Sequence, residues 1–452
     1  MMYDSNNRFL SGNYAPFRSE GDELDLIVEG EIPKELEGSL YRIGPNPHYP
    51  PQVRYHWFDG DGMVHGFTLH DGKASYRNRY VRTAGLEAEM QAGRSLFGGL
   101  AEKPKEISPA GLFKNAANTN IIGYANRLLA LWEAGFPHEL KPVTLETVGP
   151  YTFGNKLNGP MTAHPKFDAK NGELLFFGYQ PMPPYLTWHR ADINGNLIES
   201  HPIDTGLGVM MHDFVTTDNF AIFFVCPSVF RLENVAAGKP ALQWEPQHGT
   251  RIGVMNRKNF EMKWFHTDAF YVFHFLNAYE DGNSIVVDFC RLASLDMTGD
   301  GPSGTPLPYR FALDMKSGAL KETQIDDQAN EFPRIDDRRA GTRHRYGYFA
   351  SSRPVSNFGF TTLTKRDYEK GTAETFSLAP NTQPSEPVFV PRAHKSGEQD
   401  GWVLSVWYDA NNDRSELVIQ DAANFTAKPV ARVKVSHRVP FGFHGNWVPA
   451  AL

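Results

Sequence analysis

Four histidines differ from the other twelve in their setting. His164 lies in "TAHPKFD", His212 in "MMHDF", His274 in "FHFLNAYED" and His444 in "PFGFHGNWVP", each among apolar or aromatic neighbours. Burying imidazoles without partners is costly, so four of them in comparable places need a common reason. A metal ion supplies one. Nitrogen donors of this kind suit Fe, Zn, Cu or Ni, whereas a structural zinc site more often draws on cysteine, and the chain has only Cys226 and Cys290. Carboxylates that accept the second ring N–H would fix each tautomer and return negative charge. Glu133, Glu331 and Glu386 are the candidates for that task.

The elements that must position these residues are short apolar runs bounded by turn residues. "LLALW" begins at Leu128, "LLFFG" at Leu174, "AIFFVC" at Ala221, "IVVDFC" at Ile285, "YGYFAS" at Tyr346 and "WVLSVW" at Trp402, so the starts are 46 to 64 residues apart. That interval is close to the size of one four-stranded propeller blade. A polar residue precedes each run: Thr119, His164, His212, His274, Glu331 and Glu386 in turn, with His444 completing the series. Their spacings are 45, 48, 62, 57, 55 and 58 residues. One such residue per innermost strand of seven blades would bring all of them toward a central axis.

The predicted fold is therefore all-β: a seven-bladed β-propeller over residues 1–452 as one domain, with loops and short helices capping the face over an axial metal site. "HGFTLHDGKASYRNRYV", from His65, alternates around "DG" and reads as a β-hairpin that completes the blade of the C-terminal strand. "LEAEMQAGRSLFGGL" spaces its apolar residues as a helix does, predicting a short apolar helix over 86–100 at a tunnel entrance. "DGDG" at Asp59–Gly62 reads as a tight turn and not as a calcium loop.

Composition agrees with this class. Aromatic residues make up 13% of the chain, and 40 Gly and 32 Pro supply turns, a mixture that favours strands. The formal net charge of -7 carries no basic footprint for nucleic acid. Cys226 and Cys290, each in an apolar run, read as buried free thiols in a reducing compartment. No window is apolar enough to span a membrane and no leader pattern is visible, so the expected location is the cytoplasm, with peripheral membrane contact.

These residues resemble the carotenoid cleavage oxygenase family, non-haem iron enzymes that split alkenes with O2. The similarity runs from "EGEIPKELEGSLYRIGPNP" through "FDGDGMVHGF", "NTNIIGYANRLLALWEAGFPHEL", "AHPKFD", "MMHDF", "FHFLNAYED", "EFPRI" and "EPVFVPR" to "FHGNW". The resemblance implies Fe(2+) held by His164, His212, His274 and His444, with Glu133, Glu331 and Glu386 hydrogen-bonded to three of them. It also implies that Thr119 leans toward the vacant coordination site, leaving one place for O2, and that no general acid or base is needed. Phe275 follows His274 where the family often has a second histidine, so His274 is the ligand there.

Family members that cleave phenolic stilbenes resemble one another in a Lys before the glutamate at position 133 and a Tyr upstream of it. This chain has Trp132 and Leu100 at those places. An apolar pair offers no handle for a phenolate and suits a polyene bound by hydrocarbon burial, at about 25 cal/mol per Å². The expected reaction is cleavage of an apocarotenoid or carotenoid, with stilbene or phenylpropene cleavage as the alternative and a non-enzymatic propeller platform as the third reading. Phe58, Leu100, Trp132 and Phe275 are the expected pocket lining, and Leu96, Phe97 and Leu100 an expected lipid-facing tunnel mouth.

Overall fold

The computed structural model describes residues 3–450, apart from 101, 103–107, 109, 110, 112, 238, 298–303 and 353–358. Seven antiparallel sheets and one two-stranded ribbon account for the strands among the described residues. Seven sheets are the blades of a seven-bladed β-propeller, the class that the spacing of apolar runs predicts. Each predicted run is the second strand of a sheet: Arg127–Leu131, Leu174–Tyr179, Phe220–Val225, Ser284–Leu292, Tyr346–Ser352 and Gly401–Asp409. These strands are buried on both faces almost throughout, which explains why they read as continuous apolar runs and not as alternating ones.

The chain divides into two compact units where the sequence predicts one domain: Met1–Met161 with Leu378–Leu452, and Thr162–Ser377. The Thr162–Ser377 unit holds four blades, each a meander of four strands in chain order except for the ribbon Ser228–Phe230 with Leu242–Trp244 inserted in the second. The other unit holds three blades and joins the two ends of the chain. Its closing strand Gly445–Pro449 pairs with Gly38–Pro45, which continues into the hairpin Gly62–His70 and Lys73–Tyr80. The hairpin turns on Asp71 and Gly72, both at positive φ, the conformation a two-residue primed turn requires. Ile27–Gly30 adds a second N-terminal strand, at the outer edge beside Ala431–Lys434.

The seven polar residues share one placement. Thr119, His164, His212 and His444 lie within a few residues of the start of an edge strand of their sheets. His274 and Glu331 sit where Tyr271–Asp281 and Ala329–Arg334 lose register with their neighbours. Glu386 falls in the gap between Thr382–Pro384 and Val388–Pro391. A break in pairing frees backbone groups and re-aims a side chain, so each blade presents its polar residue where its ladder begins or is interrupted.

The predicted helix over 86–100 is a helix over Ala84–Ala92. Thr83 caps its start, its side chain accepting the Leu86 N–H, and Gly93 ends it at φ 66°, donating its N–H to the carbonyls of Glu89 and Met90. A left-handed residue of this kind stops an α-helix, so Leu96, Phe97 and Leu100 lie beyond it. Phe97 is buried, Leu96 partly buried and only Leu100 is exposed, which corrects the expected lipid-facing trio. No helix among the described residues is long and apolar enough to cross a membrane. Cys226 and Cys290 are buried free thiols.

Candidate metal centre

In the Thr162–Ser377 unit three of the four histidines form one cluster. Ring centroids of His164 and His212 lie 4.5 Å apart, those of His164 and His274 5.1 Å, and those of His212 and His274 5.2 Å. The Nε2 atoms of His164 and His212 face each other at 3.0 Å, and the potential ligand nitrogens of all three lie within 4.8 Å of one another. All three residues are at most 9% exposed.

Local hydrogen bonds hold the cluster. The Thr162 hydroxyl donates to the His212 carbonyl and accepts the His164 N–H, joining two ligand segments through one side chain. Glu331 Oε2 lies 2.5 Å from His274 Nδ1 and also accepts the Phe332 N–H at 2.6 Å. With its Nδ1–H donating to the carboxylate, His274 keeps the Nε2 lone pair for an ion. Phe273 packs edge-on to His212 and Phe332 stacks on His274, so aromatic faces border the rings.

The other unit holds His444 in a comparable arrangement. Glu386 Oε1 lies 3.0 Å from His444 Nδ1, and Glu386 Oε2 accepts the Gly445 N–H at 2.8 Å. The His444 N–H donates to the Thr119 carbonyl, and its own carbonyl accepts the Ile43 N–H. This close seating depends on glycine. A Cβ on Gly44 would meet Gly442 Cα at 2.4 Å, and one on Gly445 would meet the Tyr41 carbonyl at 2.6 Å. Arg42 is buried beside Glu386; burial pushes its guanidinium down to about 10 while the carboxylate pulls it up. These bonds and close approaches fix His444 in its place.

Thr119 is buried, and its hydroxyl donates to Asn118 Oδ1 at 2.9 Å. Asn118 in turn donates to the carbonyls of Phe58 and Gly60. Phe58 belongs to an aromatic group with Trp57 and Phe443, ring centroids 5.4 Å from Phe443. Glu133 is buried just past Arg127–Leu131, with Trp132 partly buried before it. Leu100 is exposed, its N–H held by Asp59 Oδ1, and burial pushes the Asp59 carboxyl up to about 6. Phe275, expected in the pocket, instead packs in a core of phenylalanines against Phe224 and Phe289. Phe273 and Phe332 occupy the places beside the rings.

The donor set fits a borderline transition-metal ion: imidazole nitrogens, no thiolate, and carboxylates one bond removed that hold the tautomers. Sequence reasoning missed Thr162, Asn118 and the glycines around His444. Their signal was adjacency alone, since each lies within two residues of a named position in "NTN", "TAH" or "FGFHG".

Residues 14–449 match the family described as retinal pigment epithelial membrane protein, RPE65. The chain is 35% identical to an isoeugenol monooxygenase of Pseudomonas putida over 98% of both chains. It is 34% identical to a carotenoid 9,10(9',10')-cleavage dioxygenase of Crocus sativus, over 97% of this chain and 89% of that one. The structure superposes on lignostilbene dioxygenase of Pseudomonas brassicacearum with a TM-score of 0.93 at 29% identity, covering 100% of both. Cobalt-substituted Synechocystis apocarotenoid oxygenase gives 0.89 at 31% identity, covering 99% of both. Solved variants of that oxygenase replace a threonine, a tryptophan thirteen residues later and the glutamate that follows the tryptophan. Thr119, Trp132 and Glu133 repeat that spacing here.

Proposed function

This chain belongs to the RPE65 and carotenoid cleavage oxygenase family, and from that membership we propose that it splits a carbon–carbon double bond of an apocarotenoid or carotenoid with O2. One oxygen atom goes to each carbon, giving two carbonyl products. His164, His212, His274 and His444 are the residues to hold Fe(II). When bound, Fe(II) supplies the redox-active centre for the reaction of O2 with the alkene.

The chain's own residues bind, orient and exclude water. Glu331 and Glu386 keep the ring protons of His274 and His444 at Nδ1, and Glu133 serves a third histidine in the same way. Thr119, its hydroxyl committed to Asn118, would limit access to the ion. Phe273 against His212 and Phe332 against His274 border the rings with apolar faces, which favours reaction between apolar partners held together. Double-bond cleavage into two carbonyls needs no obligatory proton transfer, so no acid or base is assigned.

The observation that carries the substrate class is Trp132 directly before Glu133, thirteen residues after Thr119, the arrangement shared with the Synechocystis apocarotenoid oxygenase variants. A stilbene or phenylpropene substrate is the second reading, favoured by the likeness to lignostilbene dioxygenase and isoeugenol monooxygenase. Mass spectrometry of products from the iron-loaded protein under O2, given an apocarotenal and a 4-hydroxystilbene side by side, separates them. Shorter polyene aldehydes support the first reading; benzaldehydes replace it with the second. Peripheral contact with a membrane holding the polyene would run through exposed Leu100, and unchanged vesicle binding in Leu100→Glu would remove that role.

A further inference from the structure

One buried carboxylate outside the histidine–glutamate pairs touches the supports of three histidines at once. Asp213 follows His212 and is 4% exposed. Its Oδ1 lies 2.7 Å from the Lys166 ammonium and accepts the Phe214 N–H at 2.8 Å. Its Oδ2 accepts the Phe275 N–H at 2.9 Å. Lys166 stands two residues after His164, and Phe275 is the residue after His274. The Phe275 N–H therefore binds Asp213 within the stretch where Tyr271–Asp281 changes register with its neighbour.

We propose that Asp213 is a positioning residue that sets the spacing of the His164, His212 and His274 imidazoles. The Phe214 bond orients the carboxylate on the His212 segment. From there one oxygen draws in the chain after His164 through a charged pair, and the other draws in the chain after His274 through a backbone amide. Hydrogen bonds to a charged group are stronger than neutral ones, and an ammonium near a buried carboxylate at low effective dielectric resists displacement. A ligand set on three separate chain segments needs such a tie, because a metal site 1 Å too loose loses affinity even when every ligand is present. Thr162 ties His164 to His212 but reaches no part of the His274 strand; Asp213 does.

The inference rests on the metal reading of the histidines, not on the substrate class. It is tested on the full-length protein with Co(II) as probe, comparing wild type, Asp213→Asn and Lys166→Met by Co(II) affinity, ligand-field spectrum and thermal stability without metal. Asp213→Asn is expected to weaken Co(II) binding by about 10- to 100-fold and to shift the spectrum at saturation. Lys166→Met, which leaves both backbone bonds in place, is expected to weaken binding by less than about 10-fold in the same direction. A wild type that binds no Co(II) overturns the metal reading and this inference with it. Normal Co(II) binding by wild type with unchanged affinity and spectrum in both variants overturns this inference alone, even if their stability falls. Should Asp213→Asn fail to fold, Lys166→Met decides: weakened binding supports the inference and unchanged binding overturns it.

Discussion

The His274–Glu331 and His444–Glu386 pairs use the same chemistry and different topology. In both, a buried glutamate lies against Nδ1 of its histidine and takes one backbone N–H as well. Glu331 takes the N–H of the very next residue, Phe332, so its second bond stays within its own strand. Glu386 takes the N–H of Gly445, 59 residues away, at the start of the strand that closes the propeller on Gly38–Pro45. Arg42, buried, adds a cation whose charge acts on Glu386. Glu331 therefore orients a ring, whereas Glu386 orients a ring and holds down the end of the chain.

Removing the rings themselves has the largest expected effect and is the way to break the comparison. His274→Ala and His444→Ala should each abolish metal retention and activity, measured by metal analysis after dialysis and by product formation. If one variant keeps its metal, the two histidines are not equivalent ligands and the parallel ends.

Truncating the glutamates should separate the pairs. Glu386→Ala loses a charged hydrogen bond to a ring and the bond that holds the closing strand, so it is expected to cost more than Glu331→Ala. Glu331→Ala loses one charged hydrogen bond to a ring and one local bond, about 1.5–3 kcal/mol. Denaturant unfolding of the metal-free proteins measures both, and equal losses would show that the Gly445 bond contributes nothing to closure. The isosteric changes should bring the pairs back together. Glu331→Gln and Glu386→Gln keep the shape and lose the charge, so each is expected to lower metal affinity or activity by about 10- to 100-fold, with full activity and normal metal content excluding the residue from that role.

The smallest effect concerns Asp59, whose carboxylate accepts backbone N–H groups from His56 and Leu100. Burial raises its folded pKa to about 6, above the ordinary 3.8. The folded state thus holds this proton more tightly, and the stability so contributed is full below about pH 4 and lost as the pH rises through 6. Asp59→Asn should flatten that part of the stability–pH profile, read by thermal unfolding between pH 4 and 7. A profile unchanged by the substitution would show that the carboxyl titrates normally.

The sequence reading reached the metal residues because each lies a short step before a strand that is itself conspicuous. An apolar run such as "IVVDFC" marks its strand by composition, and "HDG" marks its turn by the φ angles that Asp and Gly tolerate. His164, His212, His274, Glu331, Glu386 and His444 could then be found by register alone. The end of the helix at Gly93 was missed because spacing of apolar residues continues past a glycine that the backbone does not. Phe275 was assigned to the pocket and Phe273 overlooked because the strand changes register around His274, and a one-residue shift exchanges the faces of a strand.

By itself the sequence determined the architecture, the number of blades and the residue types offered to a metal, since periodicity and turn chemistry act over a few neighbouring residues. Only the tertiary structure decided what holds those residues in place. Asp213 reaching Phe275 and Lys166, Glu386 reaching Gly445, and Gly44 lying against Gly442 all join segments more than 40 residues apart. Such contacts depend on the register and twist of whole sheets, which no local stretch of chain encodes.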